Sequence, residues 1–137
     1  MRQNAAMRAA ATFEITDWDQ TEWDDSPSGK LAQARVTKQF SGEVEGASVA
    51  AVLMAETSVG PAAYTAQERF TGSLGGRSGT FMAQHGATEF GSQSGWTIVT
   101  GSGSGELTGL SGTAVLDVDA DGGHRITFDY EIAASPD

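Results

Sequence analysis

YTAQERFTGSLGGRSGTFMAQH, residues 64 to 85, places two alternating runs on either side of the Gly75-Gly76 pair. Adjacent glycines reach positive φ without a steric penalty, so they suit the two-residue loop of a tight β-hairpin. Such a loop sets Leu74 opposite Arg77, Gly72 opposite Gly79, Phe70 opposite Phe81, Glu68 opposite Ala83 and Ala66 opposite His85. One face then carries Tyr64, Ala66, Glu68, Phe70, Phe81, Ala83 and His85. That face is apolar except for one carboxylate and one imidazole, which lie diagonally across the two strands.

Upstream, Ala11 to Trp18 alternates with Phe13 and Ile15 on one face, which reads as a half-buried strand. The N-terminal MRQNAAMRAA, residues 1 to 10, lacks that pattern and reads as a flexible or weakly helical tail ahead of a single domain spanning 11 to 137. Asp19 to Gly29 is acidic, contains Pro27 and Gly29, and reads as a long loop. Leu31 to Phe40 alternates again, with Ala34, Val36 and Phe40 inward. Lys38 falls on that apolar face, where its stem would let the ammonium snorkel to a rim. Ser41 to Gly46 reads as a turn. Ala47 to Thr57 is nearly continuous in apolar residues and reads as a strand of open register. A two-residue loop after it puts Val49, Ala51, Leu53 and Ala55 beside the Tyr64 to Phe70 face, whereas an odd-length loop puts Val52 and Met54 there.

Downstream, Gly86 suggests a bulge, Gly91 to Gly95 a turn, and Trp96 to Thr100 a strand with Trp96 and Ile98 on one face. Gly101 to Gly112, GSGSGELTGLSG, carries Leu107 and Leu110 and reads as a glycine-bent strand packed closely on a neighbour. The last hairpin joins Thr113 to Ala120 and His124 to Ile132. A three-residue loop, Asp121 to Gly123, pairs Val118 with Ile126, Leu116 with Phe128 and Ala114 with Tyr130. About eight short strands joined in sequence imply an all-β fold, a closed antiparallel eight-stranded up-and-down β-barrel whose interior holds side chains or one small ligand. A two-sheet β-sandwich satisfies the same alternation.

Composition narrows the function. The 137 residues carry 18 acidic and 8 basic side chains for a net charge of -10, a surface that repels nucleic acid and anionic membranes. No apolar run approaches the ~20 residues of a membrane span, and the N-terminus makes a poor secretory signal, so a cytoplasmic address is expected. The absence of cysteine excludes disulfides, zinc-thiolate sites and a cysteine nucleophile.

The blocks QERFTG (Gln67 to Gly72), GGRSGTFMAQH (Gly75 to His85) and GWTIVTGSGSGELTGLSGT (Gly95 to Thr113) resemble a bacterial family known as domain of unknown function 3224. ATFEITDW and TFDYEI sit where that family has its first and last strands. The resemblance implies an eight-stranded barrel like that of allene oxide cyclase. GSGSGELTGLSG is similar to the glycine-rich block of allene oxide cyclases and dirigent proteins. Those proteins steer reactive intermediates in apolar barrel cavities, often as trimers, which implies a cavity and a homo-oligomer here. The family has no established activity and supplies no catalytic residues.

Within such a barrel the inward residues Tyr64, Glu68, Phe70, Phe81, His85, Trp96, Phe128 and Tyr130 would line a pocket for a small apolar or amphipathic ligand. Glu68 and His85 are the candidates for acid-base chemistry of an isomerase or cyclase type, with Tyr64 as a further hydrogen-bonding group. The plainer alternatives are that both are merely satisfied core groups, and that the barrel is a solid structural or interaction module. Arg69 points outward and Arg77 is solvated at the loop. Asp117 to Gly122 matches the first half of an EF-hand loop, but Phe128 stands where the bidentate glutamate belongs, so it reads as a hairpin turn. His124 lies far from a clear partner, and neither a metal nor a cofactor is expected. Trp18 and Trp23 flank the acidic stretch, and Trp18 is placed at a barrel end or a subunit contact.

Overall fold

The computed structural model describes residues 6–88 and 95–133 as one antiparallel sheet of eight strands, closed on itself in sequence order. These are β1 (Met7–Ser26), β2 (Gly29–Gly42), β3 (Val44–Thr57), β4 (Gly60–Leu74), β5 (Arg77–Thr88), β6 (Gly95–Ile98), β7 (Leu110–Val118) and β8 (His124–Ile132). Pairing of β8 with β1, Ile126 opposite Ala11 and Phe128 opposite Ala9, closes the sheet. The closure excludes the sandwich.

The central β4–β5 hairpin has the register read from its turn, from Leu74 opposite Arg77 to Ala66 opposite His85. Gly75 and Gly76 take φ of 60° and 88°. The inward face is buried and Gln67, Arg69 and Gln84 are exposed.

Strand β1 is longer than expected at both ends. It begins at Met7, and inside the stretch read as a tail Ala9 is buried against β8, as is Ala11 at the start of the expected strand. Alternation among alanines leaves no contrast for a hydrophobic pattern to show. Residues 1–5 lie outside the described residues. The acidic stretch is strand rather than loop, running to Ser26 and turning directly into Gly29 of β2. A register shift between Ile15 and Asp17 reverses the parity of β1, so Trp18 comes to stand opposite inward-facing Val36. The side chain of Trp23 is outside the described residues.

Strands β2 and β3 extend into the 41–46 turn. The even-numbered residues of β3 face inward, with Val52 opposite Ala66 and Met54 opposite Tyr64. Only Ser58 and Val59 separate the paired Thr57 and Gly60, and a bulge at Ala62 then supplies the odd residue. Gly86 pairs regularly with Thr65 and is not a bulge. A Cβ there would meet the Tyr64 carbonyl oxygen at 2.7 Å, so the glycine permits a close approach. Residues 91–94 of the expected turn lie outside the described residues.

The 101–109 segment is not a strand but a loop with one 3-10 turn, Gly105–Leu107. It does pack closely: a Cβ on Gly79 would come within 2.0 Å of the Ser104 carbonyl oxygen. The last hairpin is shifted by two residues from its expected register, with Val118 opposite His124 and Ala114 opposite Phe128. Asp119 explains the longer loop, since its Oδ1 accepts the N–H groups of Asp121 and Gly123 and fixes a wider turn.

The two ends of the barrel differ. Leu107 and Leu110 plug one end over Val44, Leu74, Phe40, Phe70, Phe81 and Phe128, all buried. The other end, above Val36, Ala50, Val52 and Ala66, keeps a cavity.

Candidate functional site

The cavity has a volume of about 390 Å³ and is walled by Val36, Ala50, Val52, Met54, Ala87 and Leu116, with exposed Ile15, Trp18, Pro61 and Thr88 at its rim. At its floor four strands bring together polar side chains that the apolar barrel would otherwise exclude. Glu68 on β4 is the hub. Its Oε1 accepts from Lys38 Nζ at 2.9 Å and faces His85 Nε2 at 2.8 Å, while Oε2 accepts from Ser48 Oγ at 2.5 Å. His85 Nδ1 lies 2.9 Å from the Tyr64 hydroxyl, which extends the chain toward the cavity.

Alternation accounts for each position. Lys38, Ser48, Glu68 and His85 all have inward parity on β2, β3, β4 and β5, and all are less than 8% exposed. Ser48 pairs across with Phe70 and Lys38 with Ser48, so the lysine and serine approach Glu68 from adjoining strands. The imidazole stacks on Trp96 at 3.9 Å with planes 2° apart. Lys38 Nζ lies 4.7 Å from the Phe13 ring centre and 4.8 Å from that of Trp96, a cation held between aromatic faces. His124 stacks on Phe13 at 4.9 Å.

Burial pushes the Glu68 carboxyl pKa up, but the His85 bond, the Lys38 charge and the Ser48 bond together outweigh it and hold the group below the ordinary carboxylate range. Glu68 is therefore a carboxylate at neutral pH and can only accept. His85 Nε2 must then carry the proton of that bond, and Nδ1 faces the Tyr64 hydroxyl. The chain runs from the tyrosine hydroxyl through imidazole to a fixed carboxylate. Such an order fixes the orientation of the phenol at the cavity floor.

Several placements differ from those read in the sequence. Phe70, Phe81, Phe128 and Tyr130 pack in the plugged end and are absent from the cavity wall, because the glycine-rich loop seals that half. Tyr64, His85 and Trp96 do line the cavity, and Glu68 lies behind them, reaching it through Lys38 and His85. Lys38 does not snorkel: its side chain is 8% exposed because a buried carboxylate supplies the missing partner. Glu68 bonds neither an arginine nor a backbone amide at a rim, and His124 has a partner in Phe13 on the cavity wall. Ser48 had no signal beyond its parity, which the open register of β3 left undetermined. The Asp117 to Gly122 run forms the final turn, and no cluster of three or more potential metal ligands exists among the described residues. No helix among them is long and apolar enough to cross a membrane.

Comparison with known proteins agrees with this architecture. A crystal structure of a protein of unknown function from the DUF3224 family, from Shewanella oneidensis MR-1, is similar at 29% identity with a TM-score of 0.78. The match covers 96% of this chain and 100% of that one. No curated protein matches. The model of the family described as "Protein of unknown function (DUF3224)" matches residues 9–130. By that match, which spans most of the sequence, the chain belongs to the DUF3224 family.

Proposed function

We propose that the protein binds a small apolar or amphipathic molecule in the open-end cavity. One observation carries the reading: within a single barrel one end is filled with aromatic and leucine side chains, while the other keeps about 390 Å³ above a polar floor. That volume lies in the range of ordinary small-molecule pockets, about 300–1,000 Å³. The walls supply apolar area, and the buried floor supplies direction. Native mass spectrometry of the protein incubated with a metabolite extract tests the reading, alongside a Val52→Trp variant that fills the cavity. A bound species lost in the variant supports it. The absence of any species in the wild type, across extracts from several sources, overturns it.

A second reading is favoured by the Tyr64–His85–Glu68 chain, which has the order required for acid-base catalysis of an isomerase or cyclase type on the bound molecule. Glu68 orients the ring and Tyr64 exchanges the proton. Glu68→Gln then abolishes turnover of the identified ligand and leaves its binding largely intact. Unchanged turnover leaves binding as the sole function.

A further inference from the structure

Lys38 is a primary amine at the floor of an apolar cavity, and neither ligand binding nor the Tyr64–His85–Glu68 chain requires one there. It faces inward on β2, and its side chain is 8% exposed. The plugged end closes the barrel beneath it, so the exposure that remains opens onto the cavity whose wall it forms. A purely structural partner for Glu68 is better supplied by arginine, whose planar fork meets a carboxylate with two parallel bonds and never loses its proton. The chain has six arginines and none stands here. Its only two lysines are Lys38 and Lys30, whose side chain is 41% exposed.

Lys38 Nζ donates to Glu68 Oε1 at 2.9 Å and otherwise lies against the Phe13 and Trp96 rings, 4.7 and 4.8 Å from their centres. Aromatic faces attract a cation without tying its hydrogens to a fixed acceptor. A lysine amine in an apolar pocket adds to aldehydes and ketones to form an imine. Charge decides whether this floor tolerates the product. A protonated imine carries the same single positive charge as the ammonium it replaces, so Glu68 and the two rings hold either one and no new ion is buried.

We propose that Lys38 is a nucleophile that forms a protonated imine with an aldehyde or ketone of apolar body bound in the cavity. The proposal rests on the cavity-binding reading and adds a covalent step. Glu68 Oε1 takes a proton from Nζ, and the freed electron pair forms a bond to the carbonyl carbon while the carbonyl oxygen takes the proton from Glu68. A second proton follows the same route, the C–O bond breaks with its electron pair, and water leaves. Ammonium and carbonyl have become protonated imine and water, and Glu68 ends as the carboxylate it began as. The imine draws electrons from the adjoining carbon and loosens its proton, the chemistry an isomerase needs.

Octanal with cyanoborohydride, which reduces an imine to a stable amine, is the probe, and peptide mapping by mass spectrometry locates the octyl group. At limiting octanal, Lys38 is expected to be labelled about ten-fold faster than exposed Lys30. Val52→Trp slows labelling at Lys38 and leaves Lys30 unchanged. Lys38→Arg keeps a cation beside Glu68 and carries label only at Lys30 and the N-terminus. If either variant fails to fold, the ratio of Lys38 to Lys30 in the wild type still decides, since both sites are read in one sample. Octanol, of the same length without the carbonyl, is followed in parallel by native mass spectrometry. Octanol held with Lys38 labelled no faster than Lys30 overturns the imine and leaves cavity binding intact. Labelling of Lys38 that folded Val52→Trp does not slow overturns it as well. If octanol is not held and Lys38 is not labelled, the imine proposal falls, and the extract experiment above judges cavity binding separately.

Discussion

Replacing Lys38 by methionine keeps the length and apolar contacts of the side chain and removes the cation from a carboxylate that is 2% exposed. At a separation of 2.9 Å and an effective dielectric constant of about 20, the lost attraction is about 6 kcal/mol. The full amount is not paid, because the native state can escape by taking up a proton at the cluster. From the ordinary carboxyl value of 4.5, protonation costs about 3.4 kcal/mol at pH 7 and about 0.7 kcal/mol at pH 5. The expected loss at pH 7 is therefore about 3–4 kcal/mol, within the range for breaking a buried pair.

The pH dependence carries the sharper signature. In the wild type Glu68 titrates below its unfolded value, so its stabilisation is present above that value and is lost as pH falls through the lower folded one. In Lys38→Met burial is no longer offset by the lysine, and the native state binds a proton that the unfolded chain does not. Stability relative to wild type then recovers by about 2.7 kcal/mol between pH 7 and pH 5. Urea unfolding at both pH values measures this directly. A variant within about 1 kcal/mol of wild type at pH 7, or a gap that does not change with pH, refutes the account of Glu68 as a buried carboxylate held by Lys38. Lys38→Met with Glu68→Gln restores most of the loss, because no uncompensated charge remains.

Four further substitutions test particular contacts of the barrel. Phe128→Ala, at a residue 1% exposed in the plugged end, should cost about 3–5 kcal/mol in urea unfolding and leave the affinity of a cavity probe unchanged. Gly79→Ala drives a Cβ to 2.0 Å from the Ser104 carbonyl oxygen and should cost about 1–3 kcal/mol. Gly95→Ala, where a Cβ meets nothing within 4 Å, should stay within about 0.5 kcal/mol of wild type. Trp18→Ala, at 48% exposure on the cavity rim, should change stability by no more than about 0.5 kcal/mol and weaken binding of an apolar fluorescent probe, as read by titration.

How much was legible follows from how local each determinant is. The β4–β5 hairpin could be read because its turn chemistry and its alternation lie within one stretch of chain, and both fix the same register. The final hairpin had the right faces and the wrong register: Asp119 widens the turn through side-chain bonds that parity cannot report. Alternation from Phe13 and Ile15 puts Trp18 on the opposite face, but a bulge between Ile15 and Asp17 resets β1, and no residue type announces it. Glu68 and His85 were visible as a diagonal pair on adjacent strands. Lys38 and Ser48 were not, since their meeting with Glu68 depends on the packing of inward side chains across β2, β3 and β4.

The two ends of this barrel also bear on why the polar floor exists. A buried ion pair is a poor device for stability, and replacing one with well-packed apolar side chains is often neutral or stabilising by about 1–4 kcal/mol. The chain already contains that alternative, since at the plugged end the same inward positions carry Phe40, Phe70, Phe81 and Phe128 without a polar partner. Two residues along β2 from Phe40 stands Lys38, and two along β4 from Phe70 stands Glu68. The fold can therefore be filled with hydrocarbon at the neighbouring layer and is not filled at this one. Stability does not account for that difference, whereas the proposed binding of a molecule in the cavity, oriented by a polar floor, would.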